Sequence, residues 1–247
     1  MSEVVLLQMK ASNAKRSLLA LSILLLASMA PASEDGTKTA RCGAVDQVYL
    51  YATPDPDHWL PAVLLLHGSG DRAAHMIQAW SQIAHQQKIV LLAPELPRDP
   101  KFEESAPQIF RCMVEDAKNF LRIDPQRVYL FGNSMGGYLA YDGAMFESDY
   151  FAAVAVHAMR IADDYQWIVN RAHRKTPIAI YIGDHDQFFS LESVRKTRDL
   201  LQNAGFPLHY VELGQHDHNY YALSEKINAD SWDFLRQNQL PTGAPSR

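Results

Sequence analysis

Hydrophobic positions along the chain form two recurring patterns: short continuous apolar runs, and longer segments with apolar residues at every third or fourth position. The runs at 62–66 and 89–93 are apolar throughout, which is typical of strands buried on both faces of a sheet. Because segments of helical spacing separate such runs, we predict an α/β fold, a mostly parallel sheet with helices on both faces. The predicted strands are 47–51, 62–66, 89–93, the run that begins at 127, 151–156, 178–182 and 208–213, and the predicted helices are 76–86, 105–121, a segment from about 135, 163–171, 191–203 and 220–237.

The chain has 247 residues, of which 47% are hydrophobic and 21% charged, and this suits one compact domain. We place the domain at 45–240, after an N-terminal segment at 33–44 and before a disordered tail at 241–247. Turn residues follow the first predicted strand, 47–51. That strand is therefore expected to form a hairpin with 62–66 that leads into the sheet.

Residues 1–32 have the pattern of a secretory signal peptide. A basic region with Lys10, Lys15 and Arg16 precedes a short apolar run, and small residues at the end of the segment suit cleavage after Ala32. Cleavage would leave a secreted or periplasmic protein without a stable membrane anchor. The apolar run is short for a bilayer span, and an uncleaved anchor is the alternative.

The formal net charge of −5, without any long block of like charge, predicts no nucleic-acid partner. The exported chain would contain two cysteines, Cys42 and Cys112. A disulfide and a pair of buried thiols both remain open, because the sequence does not give the distance between the two Cα atoms. Neither cysteine lies in a motif typical of a nucleophile.

A run of β-branched and aromatic residues ends in Gly132-Asn133-Ser134-Met135-Gly136, and a helix-forming segment follows. Strand, sharp turn and helix in this order hold a serine hydroxyl above the carboxyl edge of a sheet. The two glycines fit a turn at which strand and helix approach too closely for a Cβ. The N-terminus of the helix directs free N–H groups toward the serine. Ser134 is therefore the predicted nucleophile.

A glycine-containing turn, 68–70, follows the predicted strand at 62–66, and its N–H groups can face the serine. We assign an oxyanion hole to the backbone N–H groups of Ser69 and Met135. Two such donors would stabilise the negative charge that develops in an acyl-transfer transition state. His67 is interpreted as a structural residue beneath this loop.

Asp184 and Asp186 follow one late strand, and His216 and His218 follow the last one. A serine hydroxyl needs a base that titrates near neutral pH, and a carboxylate holds that histidine in the correct tautomer. Asp186 lies further beyond its strand, and His218 has the longer loop with which to reach the serine, so we prefer these two. Asp184 is the alternate acid and would otherwise brace its turn. His216 is the alternate base and would otherwise line the substrate entrance.

The same two turns could supply metal ligands, with His185 and Asp217 added. That hypothesis leaves the serine turn unexplained, so no metal is predicted. His157 fits either a pocket residue or a buried core histidine. The connection that contains Tyr165 and Trp167 is too short for a large lid, and their rings are interpreted as packing residues.

Ser134, Asp186 and His218 occur in the chain order of the α/β-hydrolase superfamily, which the sequence resembles from about residue 45 to 238. The serine turn, the turn after Gly183 and the histidine-rich turn look like those of exported polyhydroxybutyrate depolymerases, feruloyl esterases and dienelactone-hydrolase-like enzymes. The resemblance implies a serine hydrolase of carboxylic esters that needs no cofactor and acts on a small-molecule or polymeric ester. A serine peptidase of the same fold and a catalytically silent binding protein are the alternatives.

Overall fold

The computed structural model describes residues 34–242. The predicted signal peptide and most of the predicted tail, residues 243–247, lie outside these residues. The strands are β1 (Glu34–Cys42), β2 (Val45–Thr53), β3 (Leu60–Leu66), β4 (Val90–Pro94), β5 (Ile123–Asn133), β6 (Ala153–His157), β7 (Ile178–Gly183) and β8 (Leu208–Leu213). The helices are α1 (Ala73–Gln87), α2 (Pro100–Ala117), α3 (Met135–Phe146), α4 (Leu191–Asn203) and α5 (Ser224–Leu235), with 3-10 helices at Asp163–Asn170 and Tyr220–Ala222.

The eight strands form one sheet in the order β1-β2-β4-β3-β5-β6-β7-β8. All strands from β3 to β8 run parallel, and β1 and β2 are antiparallel to their neighbours. The predicted α/β class with a mostly parallel sheet is confirmed. Among the described residues, no helix combines the length and the apolar character needed to cross a bilayer.

Strand β3 shows why its sequence is apolar at every position. Val63 and Leu65 belong to the hydrophobic core beneath α1 and α5, whereas Leu64 and Leu66 belong to the core beneath α2, α3 and α4. Successive side chains of a strand point to opposite faces, so both faces of this strand are buried. Burial of each leucine contributes about 1.5–3 kcal/mol relative to an exposed side chain.

The N-terminal edge of the sheet differs from the prediction. Strand β1 pairs with β2 from Glu34 opposite Thr53 to Cys42 opposite Val45, so the sheet begins before the predicted domain start at residue 45. On its other side β2 pairs with β4. The prediction of a hairpin between β2 and β3 is therefore wrong. The crossover through α1 places β4 next to β3, and β4 therefore occupies the position that the hairpin would have given to β2.

The two cysteines form a disulfide. Cys42 at the end of β1 is bonded to Cys112 of α2, with 5.7 Å between the Cα atoms. The bond joins the N-terminal hairpin to the helix that covers it. Of the two states that the sequence left open, the structure contains the disulfide.

Two helices differ from their predicted bounds for local reasons. Helix α2 begins five residues before position 105, because Asp99 caps it by accepting the Lys101 N–H at 3.0 Å and Pro100 suits the first turn. The segment predicted as one helix over 220–237 is divided into a 3-10 turn and α5. Tyr220 at the start of that turn is buried, and its hydroxyl donates to Asn228 of α5 at 2.5 Å.

Candidate active site

Ser134 connects β5 to α3 in a strained conformation, with φ 52° and ψ −118°. Close approach of strand and helix enforces this turn. A Cβ on Gly132 would lie 2.1 Å from the Gly136 carbonyl oxygen, and a Cβ on Gly136 would lie 2.1 Å from the Leu66 carbonyl oxygen. The Ser134 N–H donates to the carbonyl of His157 on the neighbouring strand at 2.9 Å. The serine side chain is thereby held clear of the backbone at the carboxyl edge of the sheet.

His218 bridges the serine and an acid. Its Nε2 lies 2.9 Å from Ser134 Oγ, and its Nδ1 lies 2.8 Å from Asp186 Oδ2. The rings of Phe188 and Phe189 contact the imidazole, with centroid separations of 4.6 Å and 5.8 Å. Two hydrogen bonds and two ring contacts therefore fix the orientation of this histidine.

Three donors converge on the Asp186 carboxylate. His218 donates to Oδ2, and the backbone N–H groups of Phe188 and Phe189 each donate to Oδ1 at 2.8 Å. Burial opposes the charged form, but the hydrogen bonds from His218 and the two N–H groups together hold the pKa of Asp186 below its usual range. An ionised Asp186 accepts the His218 Nδ1–H. The Nε2 of His218 is then free to accept the Ser134 hydroxyl proton.

The alternate acid and base lie elsewhere. Asp184 is exposed, and its Oδ1 accepts the His216 N–H at 3.3 Å, so it braces the turn. His216 is only 2% exposed, and its Nε2 lies 3.0 Å from the Nε2 of His157. The expectation that His216 lines the substrate entrance is therefore wrong, because its ring packs against the end of β6.

His157 continues this buried series of hydrogen bonds. Its Nδ1 lies 2.8 Å from Asn133 Oδ1, an atom that can only accept, so Nδ1 carries the proton. The Nε2 of His157 must then accept, and His216 donates to it. Burial lowers the pKa of His157 to about 3 and also lowers the pKa of His216, so both rings are neutral at neutral pH. Of the two interpretations of His157, the structure supports the buried core histidine.

The loop after β3 lies beside the serine turn. His67 is buried, donates from Nδ1 to the Gly68 carbonyl at 2.8 Å and accepts the Leu96 N–H at Nε2 at 3.0 Å, in keeping with its structural interpretation. A Cβ on Gly68 would lie 3.5 Å from the serine Cβ, so this loop reaches the predicted nucleophile. Ser69 lines the adjoining cleft. Met135 is the first residue of α3, where an N–H has no acceptor within the helix.

These groups open onto a cleft of about 500 Å³. Phe188, 68% exposed, and Tyr221, 39% exposed, line it. The Tyr221 hydroxyl donates to Asp71, which also accepts a hydrogen bond from His75 at 2.6 Å. This contact joins the loop after β3 to the segment after β8. Asp71, Phe188 and Tyr221 were not predicted as site residues, although each lies within three residues of a predicted one.

The turn after β7 and the turn after β8, which could supply metal ligands, are hydrogen-bonded to each other. The His185 N–H donates to the His216 carbonyl at 2.9 Å, and His218 is bonded to Asp186. Within residues 34–242, no group of three or more His, Cys, Asp and Glu side chains is arranged to hold a metal ion.

Comparison with known proteins gives the family. Residues 63–237 match the model of the alpha/beta hydrolase family. The chain has no significant sequence match among curated proteins.

Solved structures share the fold at low identity. A protein provisionally assigned as a dienelactone hydrolase from Klebsiella pneumoniae has 16% identity and a TM-score of 0.70 over 83% of this chain and 99% of its own. A ferulic acid esterase from Anaeromyces mucronatus has 16% identity and a TM-score of 0.66 over 84% and 90%. A protein provisionally assigned as dipeptidyl aminopeptidase IV from Bacteroides ovatus has 15% identity and a TM-score of 0.69 over 84% of this chain, which spans only 36% of that protein. On the family match over most of its length, the chain belongs to the alpha/beta hydrolase family.

Proposed function

We propose that this protein is an exported serine hydrolase that cleaves carboxylic esters through an acyl-enzyme intermediate. The observation that carries the proposal is the continuous series of hydrogen bonds from Ser134 through His218 to Asp186, at the edge of an open cleft. Membership of a hydrolase family supports hydrolysis. The esterases among proteins of similar fold favour an ester as the substrate.

In the first half of the reaction, Ser134 Oγ attacks the ester carbonyl carbon while His218 Nε2 takes the hydroxyl proton. Asp186 stabilises the imidazolium that forms, because it remains ionised and accepts from Nδ1. The backbone N–H groups of Ser69 and Met135 would bind the negative oxygen of the tetrahedral intermediate. His218 then gives its proton to the leaving alcohol, and the acyl group stays on Ser134.

In the second half, a water molecule enters through the open cleft and His218 removes its proton. The resulting hydroxide equivalent attacks the acyl carbon, and the bond to Ser134 Oγ breaks as the serine regains its proton. The products are one carboxylic acid and one alcohol for each water consumed. No described residue is required to change its oxidation state.

Replacement of the nucleophile tests the mechanism. Ser134→Ala should fold normally and lower kcat for short p-nitrophenyl esters by at least about 10⁴-fold. Ser81→Ala is the matched control, since the hydroxyl of this exposed serine on α1 donates to the Gln78 carbonyl of the same helix, outside the cleft, and its loss should leave turnover unchanged. Wild-type turnover in Ser134→Ala would refute the assignment. Labelling of the wild type by a fluorophosphonate, lost in Ser134→Ala, would exclude a catalytically silent binding protein.

Ester and amide cleavage can be separated with one acyl group. We expect a p-nitrophenyl ester to be hydrolysed with a far higher kcat/KM than the matched p-nitroanilide. Comparable values for the two substrates would favour a serine peptidase instead. Both substrates release a coloured product, so the same spectrophotometric assay serves both.

Export is supported by two features that are independent of the site. The first is the signal-peptide pattern of residues 1–32, which lie outside the described residues. The second is the Cys42–Cys112 disulfide, because such bonds persist in oxidising compartments. Expression with and without residues 1–32, followed by fractionation, should show export only of the longer form. Retention of the longer form in the cytoplasm would refute this part of the proposal.

A further inference from the structure

A buried series of three side chains, His216, His157 and Asn133, lies behind the candidate triad and is not used by the reaction. We propose that His157 and His216 are positioning residues, whose mutual hydrogen bond sets the separation between His218 and Ser134. The inference rests on the proposed function, since it concerns the geometry of that same site.

The ends of this series are attached to the reacting residues. Asn133 immediately precedes Ser134, and the carbonyl of His157 accepts the Ser134 N–H at 2.9 Å. His216 lies two residues before His218, and its carbonyl accepts the N–H of His185, the residue before the acid, at 2.9 Å. The Nε2 to Nε2 bond of 3.0 Å therefore connects the serine turn to both the histidine turn and the acid turn.

The surroundings leave these rings little freedom to move. His157 is fully buried, and His216 and Asn133 are 2% and 7% exposed. The ring of Tyr220 contacts His157 at a centroid separation of 5.7 Å. A Cβ on Gly183 would lie only 2.0 Å from the His216 carbonyl oxygen, so the backbone of His216 is packed directly on the end of β7.

The proton arrangement gives this bond a direction. Asn133 Oδ1 accepts from His157 Nδ1, which leaves His157 Nε2 as the acceptor for His216 Nε2–H. A side chain at position 216 must therefore donate a hydrogen bond at about the reach of an imidazole. Glutamine can do this through its amide, whereas methionine has similar length and no donor.

The test compares two substitutions of similar length, of which only glutamine supplies this donor. His216→Met should lower kcat for p-nitrophenyl butyrate by about 100-fold, the scale of loss expected from a displaced reacting group. KM should stay close to the wild-type value, because His216 does not line the cleft. His216→Gln should restore kcat to within about ten-fold of the wild type. Titration with a fluorophosphonate would give the concentration of active sites. Dividing the rate by that concentration keeps unfolded protein from lowering the measured kcat.

A control and a double variant complete the experiment. His209→Gln replaces a histidine of β8 that bonds to Asp230 at 2.7 Å outside the cleft, and kcat should not change. Combining His157→Met with His216→Met should cost no more than the worse single variant, because residues that act as one unit have non-additive effects. Should His216→Met fail to fold, His157→Met tests the same bond from its other end.

Several outcomes would overturn the inference while the proposed function stands. These are wild-type kcat per active site in His216→Met, an equal loss in His216→Gln, a loss confined to KM, or multiplicative effects in the double variant. Failure of the wild type itself to hydrolyse the ester would instead refute the proposed function, and this inference with it.

Discussion

Asp142 is an acid within the hydrophobic core, and its replacement gives a quantitative test of the structure. It lies on α3, is 3% exposed and accepts a hydrogen bond from the Tyr165 hydroxyl at 2.9 Å. Burial raises the pKa of Asp142 from 3.8 to about 7, although the bond from Tyr165 acts in the opposite direction. Tyr165 belongs to the 3-10 helix Asp163–Asn170, so this bond attaches the connection between β6 and β7 to the helix that follows Ser134.

The sign of the pH effect follows from the raised pKa. The pKa of this carboxyl is 3.8 in the unfolded chain and about 7 in the folded protein. The stability that the protonated carboxyl contributes is therefore fully present below pH 3.8 and is lost as the pH rises through about 7. Each pKa unit corresponds to about 1.4 kcal/mol, so the loss reaches about 2 kcal/mol at pH 5 and about 4 kcal/mol at pH 8. Asp142→Asn keeps an acceptor for Tyr165 and cannot ionise. We therefore expect it to stabilise the protein by about 4 kcal/mol at pH 8 and by less than about 1 kcal/mol at pH 4.

Denaturant unfolding followed by tryptophan fluorescence at pH 4 and pH 8 measures both values. Asp199→Asn is the matched control, because Asp199 is exposed beside Arg198 and its loss should change stability by less than about 0.5 kcal/mol at either pH. An Asp142→Asn effect of the same size at both pH values would refute the reasoning. Such a result would mean that folding does not shift the pKa of Asp142.

Other substitutions test separate parts of the structure. Gly136→Ala should abolish hydrolysis and destabilise the fold by about 3 kcal/mol or more, because its Cβ would collide with the Leu66 carbonyl. Gly214→Ala is the control: its Cβ meets nothing within 4 Å, so the variant should match the wild type in activity and melting assays. Replacing Cys42 and Cys112 by alanine removes a disulfide that joins residues 70 positions apart in the sequence. The free energy of unfolding should fall by about 4 kcal/mol, because the unfolded chain is no longer constrained, and kcat should not fall. Superimposable denaturation curves of the variant and the wild type would contradict this. Burial lowers the pKa of His157 from 6.5 to about 3, so protonation of the unfolded chain should cost up to about 1.4 kcal/mol of stability per pH unit as the pH falls below 6.5. Denaturant unfolding of the wild type and of His157→Asn, which cannot ionise, measures this cost, and a pH profile that His157→Asn leaves unchanged would argue otherwise.

The sequence predicted the central strands well, because their physics is local. Continuous apolar runs need a sheet covered on both faces, and the runs from β3 to β7 all became parallel strands of one sheet. Helix α4 was predicted at its observed bounds, since Ser190 caps its start by accepting the Ser193 N–H and Gly205 follows its end. Strand β1 was missed because its exposed positions carry no hydrophobic period.

The pairing of β2 with β4 depends on tertiary contacts rather than on local sequence. Nothing near the strand at 47–51 indicates that the crossover through α1 places another strand between it and β3. The state of Cys42 and Cys112 depends in the same way on where α2 packs. Such features need the distance between segments far apart in the chain, and a single sequence carries no direct signal for it.

The candidate site shows the same division between local and tertiary information. The strained serine turn follows from glycine spacing, and the geometry at Gly132 and Gly136 has the steric cause that this spacing suggested. The direction of each histidine ring, in contrast, does not follow from local sequence. His216 and His218 are two residues apart, and only the path of the turn between them decides which ring faces the serine.

That path also explains why the turn contains two histidines with different environments. Gln215 has φ 55°, which reverses the chain after β8, and the His216 carbonyl then packs on Gly183 while its ring enters the core. The Asn219 N–H donates to Asp217 Oδ1 at 2.8 Å, and this second turn carries His218 outward to Ser134. The outward direction of the His218 ring and the buried position of the His216 ring therefore both follow from the backbone path of this one turn. Because the two rings share this turn, we expect a displacement of the His216 ring to move His218 as well. The effect of replacing His216 should appear in turnover rather than in substrate affinity, because His216 does not line the cleft.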